Sequence, residues 1–136
     1  MLFRSDGLRG GTAARPITVG QAVTGRITSS SEKHSDGTPV EWWEIAGRSG
    51  ETITVDMESD DFDAFLLVRG PGGTSEFDDD GGGNCNPRIT ITFPQTGTYR
   101  LGANTVSASA RGAYSLSVTR GSRQRSSARC DSSRFN

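Results

Sequence analysis

Residues 51–58 alternate strictly. Ile53, Val55 and Met57 fall on one side, and Thr52, Thr54, Asp56 and Glu58 on the other. A period of two sends successive side chains to opposite faces of a strand, whereas a helix of 3.6 residues per turn would scatter this apolar set. The segment therefore reads as an antiparallel strand with one face buried. The same period recurs at Arg88–Phe93, where Ile89, Ile91 and Phe93 share a face, and at Ala113–Thr119, where Tyr114, Leu116 and Val118 do. Gln21–Ile27, Val40–Ala46 and Thr98–Ala103 are further strand-like stretches, and Ile17–Val19 is a short extended piece. Ala64–Val68 is apolar throughout and predicts a strand covered on both faces. Gly47–Gly50, Gly70–Gly73 and Pro94–Gly97 are turns, and the polar stretch Thr28–Thr38 is a loop. Eight or so strands with no helical period predict an all-β fold, a single antiparallel β-sandwich of jelly-roll type.

A chain of 136 residues fits one domain. The expected division is a basic linker over 1–15, the sandwich over 16–119 and a mobile Arg/Ser-rich tail over 120–136. No apolar run is long enough to span a membrane. Met1–Pro16 lacks the apolar stretch of a signal peptide, so the sequence reads as a processed secreted protein or as a piece of a longer one.

The net charge of −1 conceals an asymmetry. Residues 16–119 carry 14 acids and 7 bases, whereas residues 1–15 carry three Arg and one Asp, and residues 120–136 five Arg and one Asp. An acidic body repels phosphate, which excludes nucleic acid as its partner.

Two acidic turns bracket the apolar strand. The first holds Asp60, Asp61 and Asp63, and the second holds Asp78, Asp79 and Asp80 followed by three glycines. Aspartate-rich loops supply the oxygen ligands that Ca2+ takes, so these six residues are the candidate metal site. The competing reading is that the carboxylates cap their own turns by accepting backbone N–H groups. Trp42 and Trp43 are adjacent and must point to opposite faces of a strand. The phase of Ile45 turns Trp43 inward. Trp42 is then either a ligand-stacking surface or a residue covered by the loop Thr28–Thr38. Tyr99 and Tyr114 are expected in the core with their hydroxyls at its rim.

His34 is the single histidine, in a loop with Ser29, Ser30, Ser31, Ser35 and Asp36. No nucleophile elbow accompanies it, so no catalytic residues are expected. The Gly-rich turns lack the Lys and the helix of a phosphate loop. Cys85 and Cys130 are the two cysteines, either a disulfide pinning the tail to the Gly/Asn loop or two free thiols.

The motifs Val19–Gly25, Trp42–Ile45, Gly50–Val55, Asp61–Leu66, Asp78–Gly82, Gly97–Leu101 and Gly112–Leu116 occur in an order that resembles the bacterial pre-peptidase C-terminal domain family. The resemblance runs over about residues 17–119. It implies a secreted β-sandwich appended to extracellular hydrolases, most often proteases, and similar in fold to the collagen-binding domains of secreted collagenases. Some of those relatives bind calcium and fibrous substrate. The chain departs from the family pattern at Ala64, where proline is frequent, and in the loop Asn84–Pro87. The acidic linker that supplies calcium ligands in the collagen-binding relatives has no counterpart in the basic residues 1–15.

The function expected on these grounds is that of a noncatalytic accessory module of a secreted hydrolase, monomeric, aiding secretion or attachment to an extracellular polymer. The alternative is a stand-alone carbohydrate- or protein-binding module of the cell surface. A small hydrolase ranks last.

Overall fold

The computed structural model describes residues 14–124 and residue 126. Ten strands are present among them and no helix. They are β1 (Arg15–Pro16), β2 (Ala22–Ile27), β3 (Glu32–Lys33), β4 (Pro39–Gly47), β5 (Thr52–Glu58), β6 (Ala64–Gly70), β7 (Thr74–Asp78), β8 (Arg88–Thr92), β9 (Gly97–Thr105) and β10 (Gly112–Arg120). Eight are five residues or longer, and β1 and β3 are two-residue pieces on one edge of β4.

One sheet runs β1-β4-β9-β6-β7, with β3 also on β4, and the other runs β2-β10-β5-β8. Every pairing is antiparallel except β1 with β4. Numbering only the eight longer strands, the two sheets read 2-7-4-5 and 1-8-3-6, the double Greek key of a jelly roll.

The alternating positions meet between the sheets. Ile53, Val55 and Met57 of β5 and Leu116 and Val118 of β10 face Ile45 of β4, Leu66 and Val68 of β6 and Leu101 of β9, all buried. Each such aliphatic side chain contributes about 1.5–3 kcal/mol by leaving water. Ile17, Phe62 and Phe93 close the core from its loops.

Strand β7 is absent from the sequence reading, because Thr74–Asp78 has no apolar alternation and sits between two Gly-rich turns. The first residues after Thr119 lie against the sandwich. The Thr54 hydroxyl donates to the Gly121 carbonyl (2.8 Å) and Ser126 N–H to the Gly81 carbonyl (2.7 Å). Arg123 reaches Asp56 at 2.9 Å. This docking explains why Thr54 and Asp56, on the outward side of β5, are buried.

Candidate functional site

The first acidic turn is organised by a serine. Ser59 Oγ donates to the Ala113 carbonyl (2.8 Å) and accepts the N–H groups of Asp61 (3.0 Å) and Phe62 (3.2 Å). Its own N–H donates to Asn86 Oδ1 (3.1 Å), which ties the turn to the loop beyond Cys85. Asp61 Oδ2 accepts the Ala113 N–H at 2.8 Å. This contact brings the carboxylate against Gly112, whose φ is +136°. A Cβ at Gly112 would lie 2.3 Å from Asp61 Cβ, so sterics and backbone conformation both require glycine there.

The second turn is closed by Asp78. Its Oδ2 accepts the N–H groups of Gly81 (2.7 Å) and Arg88 (2.9 Å). The carboxylates of Asp78, Asp79 and Asp80 converge, with one oxygen from each lying within 4.8 Å of the others. Asp78 is buried, whereas Asp79 and Asp80 are exposed. Partial burial raises the Asp79 carboxyl above its ordinary range, and the neighbouring charge of Asp80 adds to the rise.

Among the described residues the six aspartates therefore do not form one site. Asp78, Asp79 and Asp80 come together, while Asp60, Asp61 and Asp63 stay outside that group. The three converging carboxylates suit a hard cation in kind. They supply only part of the six to eight oxygens that Ca2+ takes, and Asp78 Oδ2 is already occupied by two N–H groups.

Trp43 points inward and is buried, as the phase of Ile45 requires. Its Nε1–H donates to Tyr114 Oη (3.0 Å), and Tyr114 donates in turn to Glu41 Oε1 (2.5 Å). Arg15 completes the chain with an ion pair to Glu41 at 2.9 Å and stacks its guanidinium over Trp43. This network joins β4 of one sheet to β10 of the other. Burial, with the hydrogen bond to Glu41 next, pushes the Tyr114 hydroxyl well above its ordinary pKa. The sequence placed both aromatic rings but held no signal for Glu41, which lies far from Tyr114 in the chain.

Trp42 lies half-buried on the outer face of its sheet, across Gly102. His34 of the loop Thr28–Thr38 meets its edge and the Arg100 guanidinium covers its face at 4.3 Å. Along the same face stand Leu67, Phe65, Arg69 and, on β7, Phe77. The Phe65 and Phe77 rings stack at 5.7 Å.

Among the described residues His34 is in no hydrogen-bonded relay. Asp36 Oδ1 instead accepts the Thr38 N–H (3.0 Å) and hydroxyl (2.5 Å), and the hydroxyl bond is the main reason its carboxyl sits below the ordinary range. A cleft of about 790 Å³ at one end of the sandwich is lined by Arg48, Ser49, Glu51, Thr96 and Arg120, with no histidine or cysteine. Cys85 is buried and disulfide-bonded. Cys130, the other member of the expected pair, lies outside the described residues.

The bacterial pre-peptidase C-terminal domain model matches residues 39–105. No curated protein sequence matches the chain. Among solved structures, the pre-peptidase C-terminal domain of collagenase from Bacillus anthracis superposes with a TM-score of 0.59 at 14% identity, covering 79% of this chain and 95% of that one. PliG of Aeromonas hydrophila, a periplasmic inhibitor of g-type lysozyme, gives a TM-score of 0.55 at 20% identity over 80% of this chain and all of its own. PliG of Salmonella Typhimurium gives 0.51 at 17% identity with the same coverage. At these identities the likenesses establish the sandwich fold. The matched segment spans β4 through β9, including Trp42, both acidic turns and the strand between them. Over these residues the chain matches the bacterial pre-peptidase C-terminal domain family.

Proposed function

We propose that the chain is a noncatalytic accessory module of a secreted bacterial hydrolase, a protease by family precedent, that helps secretion or holds the enzyme on an extracellular polymer. The observation that carries this reading is the family match over 39–105. Two features of the surface agree with it. No nucleophile is hydrogen-bonded to His34 among the described residues, and the lining of the cleft of about 790 Å³ at one end of the sandwich holds no histidine or cysteine. The extended aromatic face of the larger sheet suits a polymer better than a small substrate.

Calcium, held by Asp78, Asp79 and Asp80, would brace the second turn and neutralise their mutual repulsion. The disulfide at Cys85 belongs to the same secreted setting. A second reading, a stand-alone protein-binding module, draws on the fold shared with PliG, whose whole length this chain spans.

The test is a pull-down against insoluble collagen, chitin, cellulose and peptidoglycan with and without calcium, paired with a broad hydrolase screen. Retention on a polymer without turnover is the expected result. Reproducible turnover abolished by one substitution would overturn the noncatalytic reading.

A further inference from the structure

The larger sheet ends in an open edge. Strand β7 pairs with β6 on one side, and among the described residues no strand pairs with its other side. Backbone hydrogen bonds outside the ladders involve none of Thr74, Ser75, Glu76 and Phe77. An edge strand presents a row of unsatisfied N–H and C=O groups, and soluble proteins usually protect such a row. This edge instead carries Phe77, 68% exposed, the most exposed large apolar side chain among the described residues.

The outer face beside the edge is equally unfinished. Leu67 stands opposite Phe77 and is only 2% exposed, so Phe65, Phe77 and Trp42 form an aromatic layer over the strand. Arg69 and Arg100 are direct cross-strand partners on this face, an unfavourable pairing of like charges. Neither forms an ion pair with a carboxylate, although Glu44 stands opposite Arg100 in register. The Nη1 of Arg69 is enclosed and has no acceptor. Two guanidiniums without an ion pair among the described residues, set side by side in a net-acidic body, suit a carboxylate from outside.

We infer that the β7 edge docks an extended polypeptide carrying an acidic side chain, which adds as a strand next to Thr74–Asp78. This deepens the attachment role proposed above and rests on that reading. The edge supplies main-chain hydrogen bonds, and alternate side chains of the partner meet the outer face. The partner residue opposite Phe77 is apolar and stacks on it. Two residues along, opposite Ser75, an aspartate or glutamate reaches over the serine toward Arg69, because Ser75 is the register partner of Arg69. Neighbouring strands lie about 4.8 Å apart, so the backbones of Arg69 and the new strand are about 10 Å apart, a gap that two long side chains bridge. The residue between these two faces the other side of the sheet, beside the exposed Glu76. The recognised pattern is thus apolar, any non-acidic residue, acid. A second copy of this chain fits poorly, since antiparallel pairing centred on Glu76 would set the two Glu76 side chains opposite each other.

The probe is a short immobilised peptide in which tyrosine and glutamate take alternate outer positions with threonine between them. A matched peptide has lysine in place of glutamate, and alginate, an anionic polysaccharide, is the competitor. Binding is read by biolayer interferometry and by hydrogen exchange of the β7 amides. The expected result is binding of the glutamate peptide at least tenfold tighter than the lysine peptide, with protection gained at 74–78. Phe77→Ser and Arg69→Gln should each weaken it about tenfold, while Arg26→Gln on the other sheet should leave it unchanged. No binding, equal affinity for both peptides, full competition by alginate, or an unaffected Phe77→Ser variant would each overturn the inference. So would protection of 74–78 that rises with protein concentration in the absence of peptide, which would identify a second copy as the occupant. Phe77→Ser that still sediments with an insoluble polymer would separate this inference, which then fails, from the accessory role, which stands.

Discussion

Replacing Tyr114 with Phe removes one oxygen and tests whether the two sheets are pinned by a polar network as well as by apolar packing. Tyr114 Oη accepts from Trp43 Nε1 and donates to Glu41, so its loss leaves a buried indole N–H without an acceptor. Glu41 keeps its ion pair to Arg15 and is 22% exposed, so water can replace part of what it loses. The main cost is therefore the stranded N–H, about 1–3 kcal/mol. A loss of about 2 kcal/mol should lower Tm by roughly 8 °C for a domain of this size, with the urea m-value unchanged. The same substitution has a signature in alkali. Because the folded state holds the Tyr114 hydroxyl above its ordinary pKa, that group favours the fold below about pH 10, where the unfolded chain is also protonated. Above pH 10 the unfolded state ionises first, and the contribution is lost at up to about 1.4 kcal/mol per pH unit. Urea melts at pH 7, 10 and 11.5 should show the wild type losing stability more steeply than the phenylalanine variant. A variant within about 0.5 kcal/mol of wild type at pH 7 would refute the reasoning. An identical alkaline slope would refute the proton linkage. Gly25 supplies an independent check, since a Cβ there would lie 2.3 Å from Tyr114 Oη and 2.4 Å from Cζ. Gly25→Ala should cost about 1–3 kcal/mol in the wild type and much less with Tyr114→Leu, a coupling that a double-mutant cycle isolates.

Asp56 is 8% exposed and bridges Arg88 (2.6 Å) and Arg123 (2.9 Å). Asp56→Ala should therefore cost about 3 kcal/mol in urea melts and open the chain after Arg120 to trypsin, whereas an uncut segment would refute the docking. Asp79 carries a raised pKa, so its charge opposes the fold at neutral pH, and protonation relieves that opposition as pH falls through its folded value. Asp79→Asn should match or exceed wild-type stability at pH 7 without metal and lose that advantage in acid. Millimolar calcium should raise the wild-type Tm and leave Asp79→Asn less affected, and a Tm unmoved by calcium would sink the cation reading. Reducing the disulfide at Cys85 should lower stability by about 2–4 kcal/mol, and if its partner is Cys130, Cys130→Ser should reproduce the loss.

The strands that bury a regular face were legible because alternation reports burial directly. Ile53, Val55 and Met57, or Tyr114, Leu116 and Val118, announce both the strand and the side that faces inward. Strand β7 was not legible, since Ser75, Glu76 and Phe77 are all exposed and no burial pattern marks them. The acidic turns were visible as composition, but their division was not. Whether Asp61 accepts from Ala113 or joins Asp78 depends on how β10 starts beside the first turn, a contact between residues 52 positions apart. The same limit hid Glu41, Asp56 and Arg123, whose roles depend on partners brought close only by sheet order.

The two outer faces have been finished differently, and that difference carries the functional argument. On the smaller sheet, Thr52 bonds Thr92 and Thr54 bonds Thr90 across the strands, and the segment after Arg120 covers Thr54 and Asp56. These polar groups find their partners within the chain. On the larger sheet, the loop Thr28–Thr38 covers only one end, where Asn104 donates to Thr38 Oγ1 and the Pro39 carbonyl and His34 meets Trp42. Among the described residues the other end keeps an exposed phenylalanine, two guanidiniums without an ion pair and a strand edge with no strand paired to it. An exposed aromatic beside an open edge is an aggregation hazard when it has no use. Retaining both on one face is what an attachment surface requires.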